Sequence, residues 1–364
     1  MKKIKSIQAM RVVAGLGAAL LAGSALAGCS PEQSSSPDGA AQDELIPIRI
    51  GLPVSNYWPA YLARDEGLFE AAGLKAEYIG FTSGAPLIAA LDSGSIDAVY
   101  TGLATLFAVS QGVELEYVLT PLDSSSQEGF VVPEGSSLTS FRDLRAGMTV
   151  GAPTATCGHI AAVSAIAAAG LAPDDVVLSN LDPTVMSGAL TNKEVDGVFI
   201  WGPWNLALEA EGNTIVNFDP DYQDGIGLCP TNIAVRPDFE KKNPGASCRM
   251  IDGHARAIEL GAAEPRRAAE SLEKELGISE AVATRTVETL KIPTVAEQLD
   301  EDSPYSIVDP DGGLAAQLSG ASRVLQENGV FDTAFSASDI FDMIDSAPLS
   351  DFVDDGVCNL SNDE

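Results

Sequence analysis

Leu91-Asp92-Ser93-Gly94-Ser95-Ile96-Asp97-Ala98-Val99-Tyr100 and Leu190-Thr191-Asn192-Lys193-Glu194-Val195-Asp196-Gly197-Val198-Phe199 read alike, position by position. Each is a helix end, a polar turn, one apolar residue, an Asp and then an apolar run. Leu and Asp stand six apart in both. A short apolar run bounded by turn residues is a buried strand, and helix, turn, buried strand is the repeating unit of α/β sheets. A doubled unit of this kind predicts an α/β protein of two similar lobes. The length of 364 residues agrees, being more than one ordinary core spans.

Outward from the repeat, strand and helix patterns alternate. Residues 46–52 are a β-rich run closed by Pro53, and 58–72 have helical periodicity ending at Gly73. Strands are predicted at 76–79, 98–100 and 115–120, with helices at 86–91 and 103–110. Pro86 suits a first helical turn. The order restarts after Glu128. Strands are predicted at 129–132, 148–151, 176–178 and 198–201, with an Ala-rich helix at 157–169 and another at 183–191. The last third is mostly helical (255–276, 280–290, 314–327, 337–344). Such alternation predicts in each lobe a mainly parallel sheet flanked by helices.

The chain starts with a basic stretch (Lys2, Lys3, Lys5, Arg11), an almost wholly apolar run over 12–27 and small residues leading into Cys29. This is a signal sequence rather than a membrane span. Leu26-Ala27-Gly28-Cys29 resembles a bacterial lipobox, in which cleavage precedes the Cys and its thiol carries the lipid. A segment at 29–45, rich in Ser, Pro, Gly and Gln, reads as a flexible tether. The net charge of −31 becomes more negative when the leader and its four cations leave, which argues against nucleic acid or anionic lipid as a partner.

Four further cysteines, Cys157, Cys229, Cys248 and Cys358, suggest two disulfides in an exported protein. Three pairings are possible. The lobe division favours Cys157–Cys229 and Cys248–Cys358, each pair falling within one predicted lobe. With two histidines, His159 and His254, and no C-x-x-C, a zinc site is not expected, and no cofactor is implied. There is no G-x-S-x-G elbow, no P-loop, no H-E-x-x-H and no G-x-G-x-x-G after a strand, so a binder rather than an enzyme is expected.

In open α/β sheets, ligands bind beyond the carboxyl ends of the strands. The segments leaving strands here are 53–58, 80–85, 100–103, 152–159, 181–184 and 201–204. Two of them enter helices through small residues, at Ser83-Gly84 and Thr156-Cys157-Gly158-His159. Helix starts hold anionic oxygens on free amides, while an N-cap role for the hydroxyls is the plainer alternative. The three tryptophans, Trp58, Trp201 and Trp204, all follow strand ends beside Tyr57 and Tyr100. Glu128 and Asp182 are acids near the same rim, able to receive an ammonium group. Candidate ligand contacts are therefore Tyr57, Trp58, Ser83, Gly84, Thr101, Gly102, Glu128, Thr156, His159, Asp182 and Trp201.

Ile48-Arg49-Ile50-Gly51, Asp65-Glu66-Gly67-Leu68-Phe69 and Ala90-Leu91-Asp92-Ser93-Gly94-Ser95-Ile96-Asp97 resemble the opening motifs of the nitrate/sulfonate/taurine class of periplasmic binding proteins. Thr156-Cys157-Gly158-His159, Asn180-Leu181-Asp182-Pro183 and Val195-Asp196-Gly197-Val198-Phe199-Ile200-Trp201-Gly202-Pro203 are most similar to its taurine branch. The resemblance implies a type II fold with the cleft between lobes at 46–124 with 232–364 and at 125–231. It implies lobe closure on a small organic anion or zwitterion, delivery to an ABC permease with its ATPase, and pocket positions at Ser83, Gly84, Thr101, Thr156, His159 and Trp201. A lipid-anchored monomer facing the cell exterior is expected. Quaternary-amine or pyrimidine-precursor binding is the alternative.

Overall fold

The computed structural model describes residues 45–221, 229–355 and 358. The leader at 1–28, Cys29 and the tether up to residue 44 lie outside them. Among the described residues no helix is long and apolar enough to cross a membrane.

Among the described residues, ten strands form two five-stranded sheets. They are β1 (Ile46–Pro53), β2 (Leu74–Phe81), β3 (Ala98–Thr101), β4 (Glu116–Leu119), β5 (Gly129–Val132), β6 (Thr149–Ala152), β7 (Val177–Asn180), β8 (Gly197–Ile200), β9 (Thr214–Phe218) and β10 (Asn232–Val235). The strand orders are β2-β1-β3-β10-β4 and β7-β6-β8-β5-β9. The two orders superimpose, with β1 answering to β6, β2 to β7, β3 to β8, β10 to β5 and β4 to β9.

The repeated sequence unit has the same local chemistry in both halves. Asp97 takes the Arg49 amide on its Oδ2 at 2.9 Å, and its own amide donates to the Arg49 carbonyl. Asp196 does the same with Thr149, at 2.8 Å. Each Asp thus fixes the entry of its strand beside the neighbouring parallel strand. Gly51 and Gly151 occupy matching places, paired with Val99 and Val198. A Cβ at either would press on a branched side chain, Ile96 or Leu181, so glycine lets the strand and its cover pack closely.

The sheets are mixed rather than mainly parallel. β1 pairs parallel with β2 and β3, and β6 with β7 and β8. β10 runs antiparallel between β3 and β4, and β5 runs antiparallel between β8 and β9. The reason is connectivity: β5 and β10 are the strands on which the chain crosses into one sheet and back to the other. Helix breaks also differ from the periodicity. Residues 58–72 form Trp58–Asp65 and Leu68–Ala71, parted by Gly67 at φ 66°. Pro265 parts Ala246–Ala263 from Pro265–Leu276, because it cannot continue the hydrogen-bond ladder.

The first sheet has one large core, which the C-terminal helices complete. The second sheet is covered on both faces by separate clusters. Across β5 and β8, Phe130 and Phe199 sit opposite each other, stacked with ring centroids 4.4 Å apart. Cys157, the first residue of the helix Cys157–Ala168, is disulfide-bonded to Cys229 on the second crossover. Cys248, in the helix Ala246–Ala263, is bonded to Cys358.

Candidate ligand-binding cleft

A cleft lies between the carboxyl ends of the two sheets. Both halves and both crossovers contribute to it. Tyr57, Asn56 and Ser55 come from the turn after β1, and Thr101, Gly102, Leu103 and Ala104 follow β3. Ser124 and Glu128 sit on the first crossover, Thr156 and Cys157 at the helix start after β6, Trp201 after β8 and Thr231 on the second crossover. The mix of aromatic rings with a few polar groups suits a small ligand.

The crossovers are tied to each other and to the cleft walls. Leu122 donates its amide to Thr231 Oγ1, whose hydroxyl donates back to the Leu122 carbonyl. Gln127 is the joint. Its Oε1 accepts from Asn56 Nδ2 at 2.7 Å, its Nε2 donates to Thr289 Oγ1, and its carbonyl accepts from Gly202 and Asn205. The turn carrying Trp201 is thereby held against the turn carrying Asn56 and Tyr57. Trp204 donates from Nε1 to the Val54 carbonyl at 2.6 Å, a direct bond between the halves at the cleft edge.

The two helix starts meet. A Cβ at Gly84 would run into the carbonyl of Ala155, so only glycine allows this approach of one helix start to the other. Ala155 itself is held at φ 57°, unusual for a residue with a side chain. Neither hydroxyl caps its helix. Thr156 Oγ1 instead donates to the Pro153 carbonyl at 2.5 Å; the His159 amide already donates to the Thr156 carbonyl at 3.1 Å, so among the described residues it is the Cys157 and Gly158 amides that have no intrahelical acceptor. A Cβ at Gly102 would fall against both sulfurs of the Cys157–Cys229 bond, which lets the disulfide lie against the floor of the cavity.

Glu128 is 1% exposed, and Trp201 is 6% exposed. Ser124 Oγ donates to Glu128 Oε1 at 3.3 Å, while Oε2 has no partner among the described residues. Burial, and next the charge of nearby Asp219, push the Glu128 carboxyl well above its ordinary range. Tyr57 is pushed up as well, by burial first and then by Glu128. The indole Nε1 of Trp201 is a buried donor without an acceptor among the described residues. Among the described residues the lining holds no Lys, Arg or His.

Of the sequence candidates, Tyr57, Thr101, Gly102, Glu128, Thr156 and Trp201 line the cavity. Trp58 does not. It packs into the core, its ring against Gly261, where a Cβ would collide with it. His159 stacks near Phe107, and its Nδ1 accepts from the Ala155 amide at 3.4 Å, which braces the turn without reaching the lining. Burial lowers its pKa, favouring the neutral ring. Asp182 caps the turn that follows it, accepting from the amide and hydroxyl of Thr184. Ser83 and Gly84 stand outside the lining, with Gly84 at the contact between helix starts. Ser124 and Thr231 are not found by sequence reasoning, since small polar residues on crossovers carry no periodic signal, while Asn56 lies in the strand-leaving segment 53–58 without being singled out.

Comparisons with known proteins agree on this architecture. A family model described as NMT1/THI5 like matches residues 54–268. A putative binding protein of Brucella abortus is 26% identical over 309 residues, covering 81% of this chain and 90% of its own. The taurine-binding periplasmic protein of Escherichia coli is 28% identical over 188 residues, 51% of this chain and 58% of its own. Among solved structures, the alkanesulfonate-binding protein SsuA of Xanthomonas axonopodis pv. citri, bound to MOPS, superimposes with a TM-score of 0.69. It shares 21% identity and covers 84% of this chain and 99% of its own.

Proposed function

The chain belongs to the NMT1/THI5-like family, and from that membership we propose that it is the solute-binding component of an ABC-type importer. It takes a small organic anion or zwitterion between its lobes, closes on it and presents the closed form to a permease with its ATPase. The lobes are 46–124 with 232–364, and 125–231. The protein works outside the cytoplasm as a monomer, held to the membrane by a lipid on Cys29, and it binds without catalysing. The relatives named for taurine and alkanesulfonates support the ligand class. The observation that carries the reading is the cleft lined by segments from both sheets and both crossovers, a geometry that exists only when the halves are together.

A thermal melt against a panel of small sulfonates, carboxylates and amino acids tests it. A true solute raises the melting temperature in proportion to RT ln(1 + [L]/Kd), about 2.7 kcal/mol at a hundredfold excess over Kd. A panel that leaves the transition unmoved at millimolar concentration, or a solute converted to product, rejects the proposal.

A further inference from the structure

We infer that the solute carries both a cationic nitrogen bearing at least one N–H, received by Glu128, and an oxyanion, received by Trp201 and the start of the helix Cys157–Ala168. The inference rests on the proposed solute-binding role and narrows its ligand.

The argument is one of unsatisfied groups. Buried polar atoms in folded proteins nearly always have partners, so an orphan in a cavity marks where a ligand atom belongs. Two residues that line this cavity each hold a buried polar atom that has no partner among the described residues: the acceptor Glu128 Oε2 and the donor Trp201 Nε1. One ligand that satisfies both must offer an N–H at one point and a negative oxygen at another. A quaternary nitrogen has no N–H to give and would leave Oε2 unpaired. A plain anion would sit beside Glu128 with no Lys, Arg or His in the described lining to balance it. A primary or secondary ammonium cancels that charge and lies among Tyr57 and Trp201, whose faces favour cations.

A rival assignment keeps the proton on Glu128 and has it donate to the oxyanion. The two differ in what glutamine does. Gln at this position still offers an N–H to an oxyanion but has no negative charge for an ammonium.

Calorimetric titration of the full mature protein separates them. The probes are aminoalkanesulfonates and aminocarboxylates of increasing length, each with its counterpart lacking nitrogen and its N-trimethyl counterpart. On the unaltered protein, one amino compound should bind at least about 10²-fold more tightly than either counterpart, the loss expected when one partner of a buried charge pair is removed. Glu128→Gln should bring that compound down to the level of its nitrogen-free counterpart. Trp201→Phe should weaken both by a similar factor, on the order of 10-fold. Equal or tighter binding of the nitrogen-free or trimethylated compound overturns the inference and leaves the solute-binding role standing. Full affinity in Glu128→Gln does the same. Failure of every probe on the unaltered protein rejects both. The comparison on the unaltered protein does not depend on any variant folding.

Discussion

The two sheets share one strand order, yet they use their acids in different ways. In the first sheet, Asp97 is met by the Arg49 amide and by both ends of its guanidinium, at 2.8 and 2.5 Å. In the second, Asp196 takes the Thr149 amide without a cation and stays exposed. Both are consumed by the scaffold. Glu128, on the crossover between the sheets, is buried with one oxygen unspoken for. The difference teaches where function sits in a duplicated fold. The repeated positions serve the sheets, and the unrepeated connections carry the groups left over for something else.

The disulfides give the largest expected contrast between regions. Cys157–Cys229 closes 72 residues and Cys248–Cys358 closes 110, so replacing either pair with alanines should cost about 2–5 kcal/mol of stability. Of these four cysteines, Cys157 of the first pair lines the cavity. Removal of that pair should also weaken solute binding, while the second pair's should not, and melts combined with titrations distinguish the two. Equal effects on affinity would erase the contrast.

Gly84→Ala tests the contact between helix starts. The added methyl meets backbone at Ala155, which cannot swing aside, so closure should lose about 1–3 kcal/mol. Affinity falls accordingly, while the melt of the empty protein hardly moves. An unchanged affinity would mean that the two starts need not approach.

The acids differ in pH response as well. Glu128 is raised in the folded state, so its penalty is absent below the ordinary value of 4.5 and stability is lost as pH rises from there through its folded value. Carboxyls such as Asp238, lowered by Lys242, respond in the opposite direction. The melting temperature of Glu128→Gln minus that of the unaltered protein, both without solute, should therefore grow as pH rises from 4 to 8. A flat difference would show that Glu128 is charge-balanced when empty. The smallest effect is expected at Trp204→Phe. Losing its bond to Val54 should cost about 1 kcal/mol, or about fivefold in affinity.

Much of this plan was legible in the sequence because it is written in local repeats. The two Leu-to-Asp units gave the doubled sheet, and strand ends gave Tyr57, Thr101, Thr156 and Trp201. What escaped was set by connection. β10 is four residues long, and nothing in Asn232-Ile233-Ala234-Val235 says that it returns from the other sheet and runs antiparallel. β9 follows Glu211-Gly212-Asn213 as a half-buried strand whose one neighbour in the sheet is β5, with too weak a pattern to stand out. Trp58 adjoins Tyr57 in sequence, but helix geometry turns the two rings to different surroundings, one to the core and one to the cleft. Proximity to a strand end could not decide between them.

A crystal structure of the protein with its tightest-binding solute is the most direct check. The account expects density in the cavity between the sheets, with a nitrogen within hydrogen-bond distance of Glu128 Oε2 and an oxygen within reach of Trp201 Nε1. Density confined to another surface, or an oxygen rather than a nitrogen on Glu128, would contradict it.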